Sequence, residues 1–464
     1  MKDFPQYFNF ELAKINYQHF YIYFAVAALI AFYLIYKSDS KYKFEFYFIS
    51  FYLLTGNMNQ ILTFKIPGVS FFEIQPIRFI YLLLLLFVFR KMIFAKERIR
   101  PTLKIPWFEV FLFAYVILLI ISVLLNSFPE GLKTIIDAIA FLIIIVALRL
   151  MADKPSYDVI GKSIIIGAIA SSIVSVLQLV VNPYFLRIGD NRMAFGDFMR
   201  SNGIFSTEYF NSYYLIIAIS WVLVTVKSTI SKVVLVGLFT LGVLCSFQRM
   251  SWIILALVIV IYFFAIKKIA LEKMLLTGLV SFAVLLSISI FYYQDIVNST
   301  LVKERLTDSV DGRKGYYSMV LENIGKKPLF GYGDLQNEVY YVNLLRITRD
   351  RDRATATTGD LHSGYFSSLF LYGVPASVCF LLFVLLSVYY YAKLFVRSLY
   401  YIIPFFVSII YMIGNLTNTF LFLKYIAVLY AIHMGIGMGL KKIKDQTQHQ
   451  NQTEGQGNLF QTTS

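Results

Sequence analysis

The chain has 464 residues, of which 58% are apolar and only 15% charged. Soluble domains carry about a quarter charged residues, and a soluble fold has no interior able to hide so much apolar surface, whereas a bilayer solvates it. Lys plus Arg is 42 against 27 Asp plus Glu, a net charge of +15. No nucleic-acid motif accompanies that charge, so it is assigned to basic loops beside a membrane and nucleic acid is excluded as a partner.

Apolar stretches of spanning length fall at 20–36, 44–64, 77–94, 106–125, 132–150, 159–181, 211–226, 232–247, 250–267, 273–293, 362–392, 399–416 and 424–440. This predicts an all-α, polytopic transmembrane protein of 12–13 spans. The second and third spans are the least regular, since Lys65 and Arg78 bracket a turn at Pro67-Gly68. No signal-peptide cleavage site follows the first run, so it is expected to remain a helix. Lys and Arg concentrate in alternate short loops: Lys37, Lys41 and Lys43; Arg90 to Lys104; Arg149 and Lys154; Lys227 and Lys232; Lys267 to Lys273; Lys393 and Arg397; Lys441 to Lys444. By the positive-inside rule these mark the cytoplasmic side, which puts the loops 182–210 and 294–361 outside. The expected organisation is a membrane domain over 1–293, a large, partly helical external loop over 294–361, membrane spans over 362–440 and a disordered cytoplasmic tail over 441–464.

The residues able to carry chemistry lie at the external side. Arg249, in SFQRMSW, stands between two apolar runs; it is either a snorkelling helix-end cation or a site residue. Gly312-Arg313 opens the amphipathic stretch GRKGYYSMVLENI. The segment Lys327 to Gly333, KPLFGYG, stops that helix at Pro328. Its glycines Gly331 and Gly333 make a tight turn that is either structural or able to bring backbone N–H groups to a phosphate. His362 sits where the polar loop meets the next apolar run, as a helix cap or as a proton-exchanging group. Of the other histidines, His19 lies near the N-terminus, His433 inside the last span and His449 in the tail. Asp350-Arg351-Asp352 fits Asp-x-Asp, but its flanking arginines compete for the carboxylates and disfavour a metal. Cys245 and Cys379 lie in apolar runs and read as core fillers. There is no Walker loop, HExxH or Cys/His cluster.

In order, SNGIFSTEYFNSYYLIIAI, SFQRMSWIILAL, DGRKGYYSMVLENIGKKPLFGYG and LHSGYFSSLFLYGVPA resemble the motifs of the O-antigen ligase/O-antigen polymerase superfamily, bacterial membrane glycosyltransferases with a large periplasmic loop before their last spans. Gln248 and Ser363 depart from the residues usual there. The resemblance covers residues 200–380. It implies an inner-membrane enzyme whose site faces the periplasm, with no cofactor and no metal. It implies a polyprenyl-diphosphate-linked oligosaccharide donor, a glycan acceptor and a bilayer as partners, together with other polysaccharide-assembly membrane proteins. His362, Arg313 and Arg249 are then the expected catalytic residues. Arg200, Arg346, Arg349, Asp360, Gly331 and Gly333 are secondary substrate-binding candidates, and Arg351 and Arg353 extend the basic strip. The expected activity is polymerisation of O-antigen, capsule or exopolysaccharide repeat units. The alternatives are a ligase that moves finished glycan onto lipid A–core or a protein, and a polysaccharide flippase or transporter, which would show internal repeats and polar residues at mid-membrane.

Overall fold

In a bilayer each backbone N–H and C=O must be satisfied within its own segment, so long uncharged runs become helices. The computed structural model describes residues 17–62, 64–65, 73–74, 76–94, 106–129, 131–188, 193–195, 198–265, 320–333, 363–398, 401–422 and 424–440. In chain order its helices are α1 (Tyr17–Tyr36), α2 (Lys43–Thr55), α3 (Pro76–Phe94), α4 (Trp107–Asn126), α5 (Leu132–Met151), α6 (Lys154–Val180), α7 (Glu208–Thr225), α8 (Thr229–Cys245), α9 (Arg249–Ala265), α10 (Gly364–Arg397), α11 (Ile402–Thr417) and α12 (Tyr425–Leu440). Two minimal antiparallel pairs, Phe64–Lys65 with Glu73–Ile74 and Met193–Phe195 with Phe198–Met199, lie in the connections. The chain is thus an all-α polytopic membrane protein, and among the described residues five helices are long and apolar enough to cross a bilayer. The expected span at 273–293, the external loop apart from 320–333, and the tail lie outside the described residues.

Two helices are sheathed by the rest. Nearly every residue of α7 is buried, and α12 is buried from Tyr425 to Met438. An apolar helix covered on all sides is a core helix. The outward faces are apolar as well: Val374, Val378, Leu381 and Leu385 form an exposed stripe along α10, and Ile230, Val233 and Val234 a second on α8. Such stripes suit lipid, not water.

Lipid provides no hydrophobic drive between helices, so close approach and hydrogen bonds hold the bundle. Small residues admit the large ones: a Cβ on Gly161 would strike the Trp221 ring, and one on Gly435 the Ile145 carbonyl. Serines bridge α2 to α6 through Ser50 and Ser163 (2.6 Å). Glu109 of α4 and Arg149 of α5 form a buried ion pair, with the Arg149 Nη2 also against the Met438 sulfur at 3.0 Å. Cys245 and Cys379 are both free thiols.

Two expected spans differ in detail. The one over 44–64 ends as an α-helix at Thr55 and continues as a 3-10 helix, Gly56–Leu62. Gly56 has φ 54, which a right-handed helix cannot propagate, and a Cβ there would meet the Phe205 ring. The one over 362–392 begins at Gly364 and runs to Arg397, but breaks at Gly373 (φ 85, ψ 177), two residues before Pro375.

Candidate functional site

Several helix ends converge on one end of the bundle. Ser201 N–H donates to the Cys245 carbonyl at the end of α8, and Gly364 N–H to the Asn418 carbonyl just past α11 (both 3.0 Å). Asn418 Nδ2 donates to the Tyr213 hydroxyl of α7 (3.2 Å). The Phe205 ring meets Tyr425 at the start of α12 (5.0 Å). α9 packs against α7 and α11, and α11 against α10. The start of α9, which carries Arg249, and the start of α10, which follows His362 in sequence, therefore both lie at this end, on helices that each pack against α11.

The segment 198–207 folds back into the bundle mouth, where Ser201 to Thr207 are buried. A buried loop must satisfy its backbone, and Gln178, in the last turn of α6, does most of this. Its Oε1 accepts from Ser201 Oγ (3.0 Å), Asn202 N–H (2.9 Å) and Gly203 N–H (3.0 Å). Its Nε2 donates to the carbonyls of Phe185 (2.8 Å) and Gly203 (3.1 Å). Gly203 has φ 56, and a Cβ there would collide with Ser171 and Asn211. Arg187, fully buried, ties the preceding loop to this one by donating from Nε to the Pro183 carbonyl and from Nη2 to the Arg200 carbonyl (both 2.6 Å).

Arg200 is partly exposed, and its Nη1 donates to Glu208 Oε1 at 2.5 Å. Glu208 is the first residue of α7, where the positive helix end stabilises a carboxylate. One turn further, Ser212 Oγ approaches Gln248 Oε1 and Ser251 Oγ, each at 2.7 Å, and Ser251 Oγ approaches Gln248 Oε1 at the same distance. Between α8 and α9 the chain turns through Ser246 and Phe247, the latter at φ 51. Arg249, exposed, opens α9.

The KPLFGYG segment docks on the break in α10. Pro375 has no N–H for the Leu371 carbonyl, its normal helical acceptor. That carbonyl instead accepts from Gly333 N–H (2.7 Å) and lies 3.0 Å from Ser122 Oγ of α4. The Phe370 carbonyl accepts from Tyr332 N–H (3.0 Å), and Val374 N–H donates back to the Pro328 carbonyl (2.8 Å). The Tyr332 ring stacks on Phe370 at 4.8 Å, and Lys327 Nζ donates to Asn126 Oδ1 at 3.0 Å. Gly331 N–H donates to the Lys327 carbonyl, and a Cβ on Gly331 would strike the Phe370 and Leu371 backbone. The backbone N–H groups of Gly331 and Gly333, for which the sequence left open a structural turn or a phosphate contact, are engaged with protein carbonyls.

Ser363 caps α10: its Oγ donates to the Asn415 carbonyl (3.1 Å) and accepts from Phe366 N–H (3.4 Å). Of the expected site residues, Arg249, Arg200, Gly331 and Gly333 are described. Arg313, Arg346, Arg349, Asp360 and His362, with Arg351 and Arg353, lie outside the described residues. Gln178, Arg187, Glu208, Asn211 and Ser212 escaped sequence reasoning. The available signal was polar residues at the rims of apolar runs, which by itself does not separate a hydrogen-bond hub from an interfacial residue.

His433 sits mid-helix in α12, apart from this end. Its Nε2 accepts from Trp221 Nε1 at 3.0 Å, so its Nδ1 carries the proton toward the Leu429 carbonyl at 2.6 Å. Among the described residues no cluster of His, Cys, Asp and Glu is suited to a metal.

Residues 233–381 match the family model described as O-antigen ligase. No curated protein matches the chain. The matched span runs from α8 through the first half of α10 and contains Arg249, Arg313, the KPLFGYG segment and His362. It supports a glycosyltransferase-like membrane enzyme of the O-antigen ligase/polymerase type.

Proposed function

We propose that the chain polymerises glycan repeat units at the outer leaflet, using a polyprenyl-diphosphate-linked oligosaccharide as donor. The observation that carries this is the convergence of the starts of α9 and α10, bearing Arg249 and following His362, on one end of the bundle within the segment matched to the O-antigen ligase family.

In the proposed reaction the acceptor hydroxyl oxygen attacks the anomeric carbon, and the bond from that carbon to the diphosphate oxygen breaks. The electron pair leaves with the diphosphate. Arg249 and Arg313 bind its oxygens, since guanidinium forks stay charged and pair bidentately with phosphate. They stabilise charge that grows as the bond breaks, which assigns them the electrostatic role a metal has in other transferases. His362 takes the acceptor proton as general base, with Asp360 orienting it. Arg200, Arg346 and Arg349 are further contacts to glycan or diphosphate. Gly331 and Gly333 act through the junction with α10, because their N–H groups are already engaged. The proposed setting is a bacterial inner membrane with the site toward the periplasm.

A ligase is the second reading, favoured by the description of the matched family itself. The two share donor chemistry and differ in acceptor. Deleting the gene and complementing with Arg313→Ala or His362→Ala tests both. Loss of surface polymer in each variant is expected, and full polymer from both overturns the enzyme. Single repeats on the usual acceptor in the deletion strain identify a polymerase; polymer stranded on the lipid carrier identifies a ligase.

A further inference from the structure

Arg249 occupies the wrong end of its helix for stability. A helix N-terminus is the positive end of the dipole, where a cation is disfavoured and an anion welcome. A guanidinium at this position and the dipole of α9 would pull in the same direction on an anion. Arg side chains also lose rotamer entropy when fixed, so the backbone beneath one benefits from being held in advance.

The residue before Arg249 is held from two sides. Gln248 Oε1 lies 2.7 Å from Ser212 Oγ of α7 and 2.7 Å from Ser251 Oγ in the first turn of α9. Ser212 Oγ also lies 3.1 Å from the Tyr209 carbonyl, so two hydroxyl protons are shared among four contacts. Phe247, with φ 51, sets the chain direction just upstream, and the Ser201 N–H bond to the Cys245 carbonyl anchors the end of α8. α7 is nearly all buried, so the mount does not move with the surface. Ser212 also lies one turn along α7 from Glu208, which holds Arg200. The first two turns of α7 thereby fix the supports of two guanidinium groups.

We infer that Gln248 is a positioning residue for Arg249. Clamped by Ser212 and Ser251, its amide fixes the pitch and register at which α9 starts, and hence where the Arg249 guanidinium meets a diphosphate-class anion. This rests on the proposed function for the identity of the anion.

The test is a double-mutant cycle on the full chain in nanodiscs, with a polyprenyl diphosphate as probe and the parent polyprenol as neutral control. Gln248→Ala is expected to weaken diphosphate binding about tenfold, the worth of one well-aimed charge-assisted hydrogen bond. In an Arg249→Ala background it is expected to add no further loss. An equal loss in both backgrounds, or none in either, overturns the inference, because a residue supporting only the fold does not act through Arg249. If Gln248→Ala fails to give folded protein by thermal unfolding, Ser212→Ala removes one clamp and carries the same cycle. If the wild type binds the diphosphate no better than the polyprenol, the proposed function falls, and the inference with it. If Arg249→Ala weakens binding while both clamp variants leave it unchanged, the inference alone falls.

Discussion

The Gly333 N–H donates to the Leu371 carbonyl at 2.7 Å, the acceptor that Pro375 leaves without a helical donor. The P-x-x-G-x-G turn and the Gly-Val-Pro break are two halves of one junction. Gly373 must hold φ 85, and a Cβ there would strike the Leu329 carbonyl. Gly373→Ala is expected to cost about 1–3 kcal/mol, the usual size of strain at such a position. Hydrogen exchange at the Tyr332 and Gly333 amides is expected to accelerate. An unchanged unfolding midpoint with protected amides would contradict the junction.

Gln178 makes four hydrogen bonds to the buried loop and a fifth to the Phe185 carbonyl of the loop before it. Gln178→Ala leaves the amides of Asn202 and Gly203 without that acceptor. A loss of about 2–4 kcal/mol is expected, since each buried donor left unmade costs about 1–3 kcal/mol and the loop relaxes in part. Thermal unfolding measures it. Exchange at 201–203 is expected to rise before that of α6, which separates a local opening from global unfolding.

Arg200 and Glu208 form a pair in which the carboxylate is the more deeply buried member, 3% exposed against 21%. Arg200→Met is expected to destabilise by about 1–3 kcal/mol because the buried Glu208 carboxyl loses the guanidinium that pairs with it. Adding Glu208→Gln is expected to recover part of that loss. Strictly additive losses in the unfolding midpoint would mean the two side chains do not depend on each other.

His433 and His362 are expected to give opposite phenotypes. His433→Ala leaves the Trp221 N–H without its acceptor and opens a void beside it, at about 2–4 kcal/mol. The protein that survives is expected to make polymer of unchanged linkage. His362→Ala is expected to unfold at the wild-type midpoint and make none. Polymer composition and unfolding midpoint, measured on both variants, decide the assignment.

Each expected span within the described residues corresponds to a helix, because apolar length alone commits a segment to helix in lipid. Position was not legible. α12 and α8 are both short apolar helices, yet one is buried and the other carries an exposed apolar stripe, and hydropathy does not distinguish a helix facing helices from one facing tails. Nor was the 198–207 loop recognisable as a buried plug, since its burial depends on Gln178 and Arg187, distant in sequence and ordinary in type. Arg249 stood out because a lone cation between apolar runs is costly and therefore visible. Gln248 did not, because its meaning comes from two serines that only the fold brings to it.

The central place of α12 also has a consequence for biogenesis. Helices enter the membrane in order of synthesis, so α2, α3, α5 and α7 are inserted before the α12 they flank. Until it arrives, Tyr52, Trp221 and the Ile145 backbone face a gap, filled by lipid or by loose packing. Assembly therefore ends with a late insertion step in which Tyr425 docks on Tyr52 and His433 on Trp221. A nascent chain halted before residue 425 would carry every earlier span and still lack its keystone.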